Sequence, residues 1–102
     1  MNIDENEVYD TCHRALYNHS QLMRYAIHKG LNSGVEVYGE LDIDTDRRDF
    51  LAEAGQELRD AMIYIACEII KRQRSKPQYQ SLYLDTLLAS IATTWGLIGG
   101  KT

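Results

Sequence analysis

The sequence predicts an all-α protein, a helical bundle of three to four helices with an irregular loop at residues 31–45. Two observations lead to this fold class. Apolar residues recur every three or four positions through most of the chain, which is the period of an amphipathic helix. The chain has 102 residues, 44% of them hydrophobic. That is enough for one core, so we expect a single helical domain over residues 1–102.

The first helical segment begins near Asp4. This residue can cap a helix, and Glu7 three residues later completes a capping box. Apolar residues follow at helical spacing until Gly30, a suitable C-terminal cap. One helix of about 25 residues fits this pattern. A break into two helices at residues 18–20 fits as well, because poor helix formers gather there.

Residues 31–45 lack a helical period and contain several turn formers. These are Asn32, Ser33, Gly34 and Gly39. The apolar and polar residues around them alternate, which fits either a short hairpin or an extended loop that crosses the bundle. The segment is also acidic, with carboxylates at Glu36, Glu40, Asp42 and Asp44.

The longest uninterrupted helical pattern runs from residue 47 to residue 74. Its candidate N-caps are Asp44, Thr45 and Asp46. One face is apolar, with Leu51, Ala54, Leu58, Ala61, Met62, Ile65 and Ile69. The other side is acidic, with Asp49, Glu53, Glu57 and Asp60. The far end is cationic, as the helix dipole favours.

Pro77 separates this helix from the last one, since proline is tolerated in a first turn but not in a helix interior. The last helix closes near residues 96–100. A continuous apolar seam along it comprises Leu84, Leu88, Ile91 and Trp95. The segment has more apolar surface than two small neighbours can cover, so we expect the bundle to self-associate.

Composition narrows the function classes. The formal net charge of −4 argues against nucleic acid as a partner, because such binding usually requires a basic face. No apolar run reaches the roughly 18 residues of a membrane span, and the polar N-terminus is not a secretory signal. The two cysteines, Cys12 and Cys67, are best interpreted as reduced, buried thiols. We therefore expect a cytoplasmic protein that does not bind membranes.

Three of the acidic residues form the candidate chemical site. Glu53, Glu57 and Asp60, here called the acidic stripe, are separated by four and three residues and so share one helical face. Three like charges this close repel one another, and a divalent cation would relieve that repulsion. Hard cations such as Mg²⁺ prefer carboxylate oxygens and keep positions for water and phosphate. A solvated surface explains the same spacing without a metal.

The segment EAGQELRDAMIYIACEI, with Glu57-x-x-Asp60 followed by Ala61 and Tyr64, resembles the second metal-binding motif, E-x-x-D, of the MazG-like all-α nucleotide pyrophosphohydrolases. The resemblance implies a small helical enzyme, a homodimer or homotetramer, that uses Mg²⁺ or Mn²⁺ to cleave a nucleoside triphosphate into a monophosphate and pyrophosphate. It implies that Glu57 and Asp60 are metal ligands. The family's other signature, E-E-x-x-E on a preceding helix, does not occur in this chain.

The missing carboxylates would have to come from Glu53 or from the acidic loop. In the enzyme that the resemblance implies, Glu53 or Glu57 activates the attacking water, Lys71, Arg72 or Arg47 contacts phosphates, and Tyr64 or Trp95 stacks on the base. An alternative of another class fits the composition equally well. It is a non-catalytic, oligomeric helical module that binds another protein through its last helix or its acidic loop.

Overall fold

The structure is a computed structural model, and it describes residues 1–15 and 21–99. Within these ranges the chain forms four α-helices and no strand, which confirms the all-α fold class. The helices are α1 (Ile3–Ala15), α2 (Gln21–Tyr38), α3 (Phe50–Ser75) and α4 (Leu82–Gly99).

Two helix pairs make up this structure. α1 packs against α2 and α3 packs against α4, and the contacts divide the chain into two compact units, Met1–Arg47 and Arg48–Thr102. The single domain over residues 1–102 stays a prediction. The proposed continuation of a helix through residues 18–20 lies outside the described residues.

α1 starts with a capping box two residues earlier than predicted. The Asn2 side-chain oxygen accepts a hydrogen bond from the Glu5 backbone N–H at 2.8 Å, and the Glu5 carboxylate accepts one from the Asn2 N–H at 3.0 Å. The predicted box at Asp4 and Glu7 is wrong. Asp4 instead accepts a hydrogen bond from the backbone N–H of Ile43 at 2.8 Å, which ties the start of α1 to the segment after α2.

α2 continues past Gly30, so the predicted loop or hairpin at residues 31–45 is wrong for residues 31–38. Ile27, Leu31 and Val35 explain the continuation. They lie four residues apart and are all half-buried, so they extend one apolar stripe through the glycine positions. A glycine in a helix interior costs about 1 kcal/mol relative to alanine, and packing of this stripe offsets that cost.

Gly39 terminates α2. Its φ of +78° lies in the left-handed region that favours glycine, and its N–H donates to the Val35 carbonyl at 2.8 Å. This is the αL form of the helix C-cap. Residues 39–49 then form the irregular connection, which agrees with the predicted loop over residues 39–45.

The starts of α3 and α4 differ from the predicted positions, whereas the end of α3 lies within one residue of its predicted end. Asp49 caps α3 by accepting a hydrogen bond from the Ala52 N–H at 3.1 Å, so the predicted caps at residues 44–46 are wrong. α3 ends at Ser75. Pro77 lies in the turn, and α4 begins only at Leu82.

The interior of the α3–α4 pair is small. Ile69 on α3 and Leu84 on α4 are the buried apolar side chains among the described residues. Gly55 is buried near the start of α3, and a Cβ built there would lie 3.4 Å from Cγ2 of Ile98, near the end of α4. The two helices therefore run in opposite directions.

Much apolar surface stays accessible on α4, including Leu82 and Tyr83, which are 72% and 75% exposed. Cys67 is also exposed, and Cys12 is half-buried. Both cysteines are free thiols, as predicted, but the predicted burial of Cys67 is wrong, because its position on α3 faces away from α4. No helix in the described part of the chain is long and apolar enough to cross a membrane.

Candidate functional site

The acidic stripe lies on the exposed side of α3. Its three residues occupy successive turns within the first half of the helix, where Cβ atoms three or four positions apart are about 5–6 Å from one another. Glu53 and Glu57 are exposed and Asp60 is half-buried. The helical spacing therefore places the three carboxylates on one accessible strip, as the sequence predicts.

Asp60 has a cationic neighbour within α3. Its Oδ1 accepts hydrogen bonds from Nε and Nη2 of Arg59 at 3.3 Å and 3.2 Å. The side chain of Asp60 is 47% exposed and that of Arg59 is 56% exposed. Ion pairs at such exposure contribute little to stability, so Asp60 can exchange Arg59 for another cation at little cost.

The carboxylate oxygens suit a hard cation in donor type, but they do not form a closed cage. Among the described residues, no group of three or more His, Cys, Asp or Glu side chains is placed to hold a metal ion. Mg²⁺ is commonly held by one or two protein carboxylates, with water and substrate phosphates filling the other positions. The stripe fits that open arrangement, with Glu57 and Asp60 one turn apart.

In the acidic loop, Asp42 accepts hydrogen bonds from backbone N–H groups of the loop itself. The Asp42 carboxylate accepts a hydrogen bond from the Asp44 N–H at 3.2 Å, and the Asp42 carbonyl accepts one from the Asp46 N–H at 2.9 Å. Glu36 lies within α2, not in the loop where the sequence placed it. These residues belong to the Met1–Arg47 unit, and Asp42 organises a turn there.

Tyr64 lies one helical turn after Asp60 on the same side of α3 and is 73% exposed. An exposed phenol ring beside carboxylates is available to stack on a planar ligand. Trp95, on α4, is 41% exposed. Both aromatic residues that the sequence proposed for stacking are therefore accessible.

The cationic end of α3 borders a shallow groove of about 340 Å³ at the α3–α4 turn. The groove is lined by Glu68, Lys71, Arg72, Ser75, Lys76 and Tyr79. Lys71 lies eleven residues after Asp60, which is about 16 Å along a helix. Within one chain, Lys71 and Arg72 thus lie apart from the acidic stripe and would contact a different part of a ligand.

Arg72 is engaged within the groove. Its Nε donates to Glu68 Oε2 at 2.7 Å, and its Nη1 donates to the Tyr79 hydroxyl at 3.0 Å. The Glu68 carboxylate, and secondly Tyr79, raise the pKa of the Arg72 guanidinium. The Arg72 hydrogen bond lowers the pKa of Glu68. Arg72 therefore joins α3 to the turn that leads into α4, while Lys71 is exposed.

The roles of Glu5 and of the contact between Arg72 and Tyr79 were not predicted from the sequence. Asn2-x-x-Glu5 is a capping-box pattern that was available in the sequence. Glu68 and Arg72 are four residues apart, which is a recognised helical ion-pair spacing. The approach of Tyr79 to Arg72 depends on the path of the turn, and no local pattern signals it.

The fold and the site together define an all-α protein with an open, carboxylate-bearing helix face. Comparison with family models, with curated proteins and with solved structures finds no match to this chain. The function is therefore argued from its own residues.

Proposed function

We propose that this protein is a Mg²⁺-dependent nucleoside triphosphate pyrophosphohydrolase. The observation that supports the proposal most is the alignment of Glu53, Glu57 and Asp60 on one solvent-accessible strip of α3, within the segment that resembles the E-x-x-D motif. The reaction consumes water and a nucleoside triphosphate. It releases a nucleoside monophosphate and pyrophosphate.

Glu57 and Asp60 would hold the ion, and Mn²⁺ has the same ligand preference. When bound, the ion supplies charge neutralisation to the phosphates and to the leaving group. Glu53, one turn before Glu57, accepts the proton of the attacking water. The water oxygen bonds to the α-phosphorus as the bond to the bridging oxygen breaks, and pyrophosphate leaves with that oxygen.

Other residues on the same unit would orient the nucleotide. Tyr64 follows Asp60 by one turn and offers its exposed ring to the base, and Trp95 is a second aromatic candidate. Lys71 would supply positive charge to a part of the ligand about 16 Å along the helix from Asp60, because Arg72 is already hydrogen-bonded to Glu68. Arg72 would contribute mainly by holding the groove in shape.

A second candidate function is an oligomeric helical module that binds another protein. The accessible apolar surface of α4 favours it, including a groove of about 490 Å³ lined by Leu82, Tyr83, Thr86, Leu87 and Ser90. A homodimer or homotetramer would cover such surface in either function. Both functions suit the cytoplasm, where thiols such as Cys12 and Cys67 stay reduced.

Metal and nucleotide binding test the enzyme proposal against the module. We expect Mg²⁺ together with a non-hydrolysable nucleoside triphosphate analogue to raise the melting temperature, because a ligand that binds the folded state stabilises it. Glu57→Gln and Asp60→Asn should remove this shift, whereas Glu7→Gln, an exposed glutamate on α1, should keep it. No shift with any common nucleotide analogue, together with no turnover of the corresponding triphosphates, would refute the enzyme proposal and favour the module.

A further inference from the structure

The exposed face of α3 continues beyond the acidic stripe to the C-terminal end of the helix. Positions 57, 60, 64, 67, 71 and 74 follow one another at alternating separations of three and four residues, the spacing of the a and d positions of a heptad repeat. The residues there are Glu57, Asp60, Tyr64, Cys67, Lys71 and Arg74. All are exposed except Asp60, which is half-buried. We call this row the α3 seam.

Charges along the α3 seam are sorted by sign. Carboxylates occupy its N-terminal third, Tyr64 and Cys67 its middle, and cations its C-terminal third. Two copies of α3 packed in parallel would place like charges opposite each other. Two antiparallel copies would place each carboxylate opposite a cation, because the positions pair symmetrically about the midpoint of the seam.

We propose that the α3 seam is a docking surface for a second copy of this chain, with the two α3 helices antiparallel. In this arrangement Asp60 faces Lys71 of the second copy, and Glu57 faces its Arg74. Tyr64 packs against Cys67 across the two-fold axis. The contact is isologous, so every pair occurs twice.

Apolar neighbours of the seam support the same contact. Ile63 and Ile70 are 54% and 45% exposed, and both lie beside the seam on α3. A second helix would remove part of their surface from water. The Arg59 partner of Asp60 is itself exposed, so replacing it with Lys71 of a second copy costs little. Within one chain Asp60 and Lys71 are about 16 Å apart along the helix, so they can pair only between copies.

Cys67 provides a probe of this geometry. It lies one and a half residues from the midpoint of the seam, so the two Cys67 residues of a dimer would be offset by about 4.5 Å along the helix direction. The axes of the two α3 helices would be about 8–10 Å apart. A short bis-maleimide spans that separation. In the Cys12→Ser variant, where Cys67 is the remaining thiol, we expect this reagent to produce covalent dimers at micromolar concentration.

Charge exchange tests the pairing itself. Asp60→Lys and Lys71→Glu should each lower the yield of cross-linked dimer by about tenfold, because each creates two like-charge contacts. The double variant carrying both changes should restore the yield, and this recovery also shows that the fold tolerates them. Glu36→Lys, an exposed position on α2, is the matched control and should leave the yield unchanged.

Glu57, Asp60 and Tyr64 cannot pair with a second copy and hold the ion and base of the proposed function at the same time, so the two states exclude each other and association is measured in EDTA. If the protein forms cross-linked dimers but shows no nucleotide turnover, only the enzyme proposal is refuted. Several results would refute the docking proposal: absence of dimers in the Cys12→Ser variant, equal yields in the single-charge variants, or no recovery in the double variant. A chain that is monomeric by light scattering at about ten times the concentration used for cross-linking would also refute the docking proposal. The α3 seam would then be available to a different partner.

Discussion

The Glu5 carboxylate accepts a hydrogen bond from the backbone N–H of Leu41 at 2.9 Å, joining the start of α1 to the segment that follows α2. The same side chain accepts the N–H of Asn2, and Asn2 donates its side-chain amide to the Leu41 carbonyl at 2.8 Å. Glu5 is only 3% exposed. The two hydrogen bonds to Leu41 thus join the start of α1 to the segment after α2, and the bond between Asn2 and Glu5 holds both side chains in place.

Replacing Glu5 with glutamine should lower the melting temperature. The amide keeps one acceptor oxygen but turns an NH₂ donor toward a backbone N–H, so one of the two backbone donors loses its partner. We expect a decrease of about 5 °C for a chain of this size, measured by circular dichroism. Glu7→Gln, an exposed position on the same helix, is the control. Equal melting temperatures for the two variants would contradict the role assigned to Glu5.

The stability that Glu5 contributes should depend on pH. Its hydrogen bonds to Leu41 first, and then to Asn2, hold the pKa of Glu5 below its ordinary value of 4.5. Unfolding restores the ordinary pKa. The stabilisation is therefore complete above about pH 4.5 and is lost as the pH falls through the lower pKa of the folded protein.

Urea unfolding of the wild type and of Glu5→Gln tests this dependence. The difference between their free energies of unfolding should stay constant from neutral pH to about pH 5 and narrow below it. A difference that stays the same in acid would show that the charge of Glu5 is not responsible.

Two glycines should respond to alanine in opposite directions. Gly30 lies inside α2 with open space around its Cβ position, so Gly30→Ala should stabilise the protein by about 0.5–1 kcal/mol. Gly39 has a φ of +78°, and Gly39→Ala should destabilise it by about 1–2 kcal/mol. Chemical denaturation measures both. Destabilisation by Gly30→Ala would indicate that α2 does not continue through that residue.

Arg72 should contribute more to the order of the turn than to overall stability. It is hydrogen-bonded to Glu68 and Tyr79 but remains partly exposed, so Arg72→Ala should lower the melting temperature by no more than about 4 °C. Amide exchange in residues 76–81 should accelerate. Arg74→Ala, an exposed neighbour, should leave that exchange unchanged, and equal acceleration in both variants would contradict the proposed contact.

Local patterns predicted the helices well where one apolar stripe persists, and less well at helix ends. The spacing of apolar residues such as Leu58, Ile65 and Ile69 predicted α3. The end of α2 was not predicted correctly, because Gly30, Gly34 and Gly39 are equally good C-terminal caps as isolated residues. The choice among them depends on the burial of the apolar stripe that includes Leu31 and Val35, both half-buried in the fold, and this is a tertiary effect.

The candidate site shows the same limit. Helical spacing was sufficient to place Glu57 and Asp60 on one face, and their exposure follows from the apolar residues opposite them. The engagement of Arg72 was not predicted, because Tyr79 reaches it through a turn whose path depends on where α4 starts.

The most direct test of the proposed function is the initial rate of pyrophosphate release from a panel of nucleoside triphosphates. We predict release from at least one nucleotide with Mg²⁺ and none in EDTA. We also predict a decrease of about hundredfold or more in Glu57→Gln, with Glu7→Gln retaining the wild-type rate. The absence of Mg²⁺-dependent release from every nucleotide, or equal rates in wild type and Glu57→Gln, would contradict the assignment of the acidic stripe as the catalytic site.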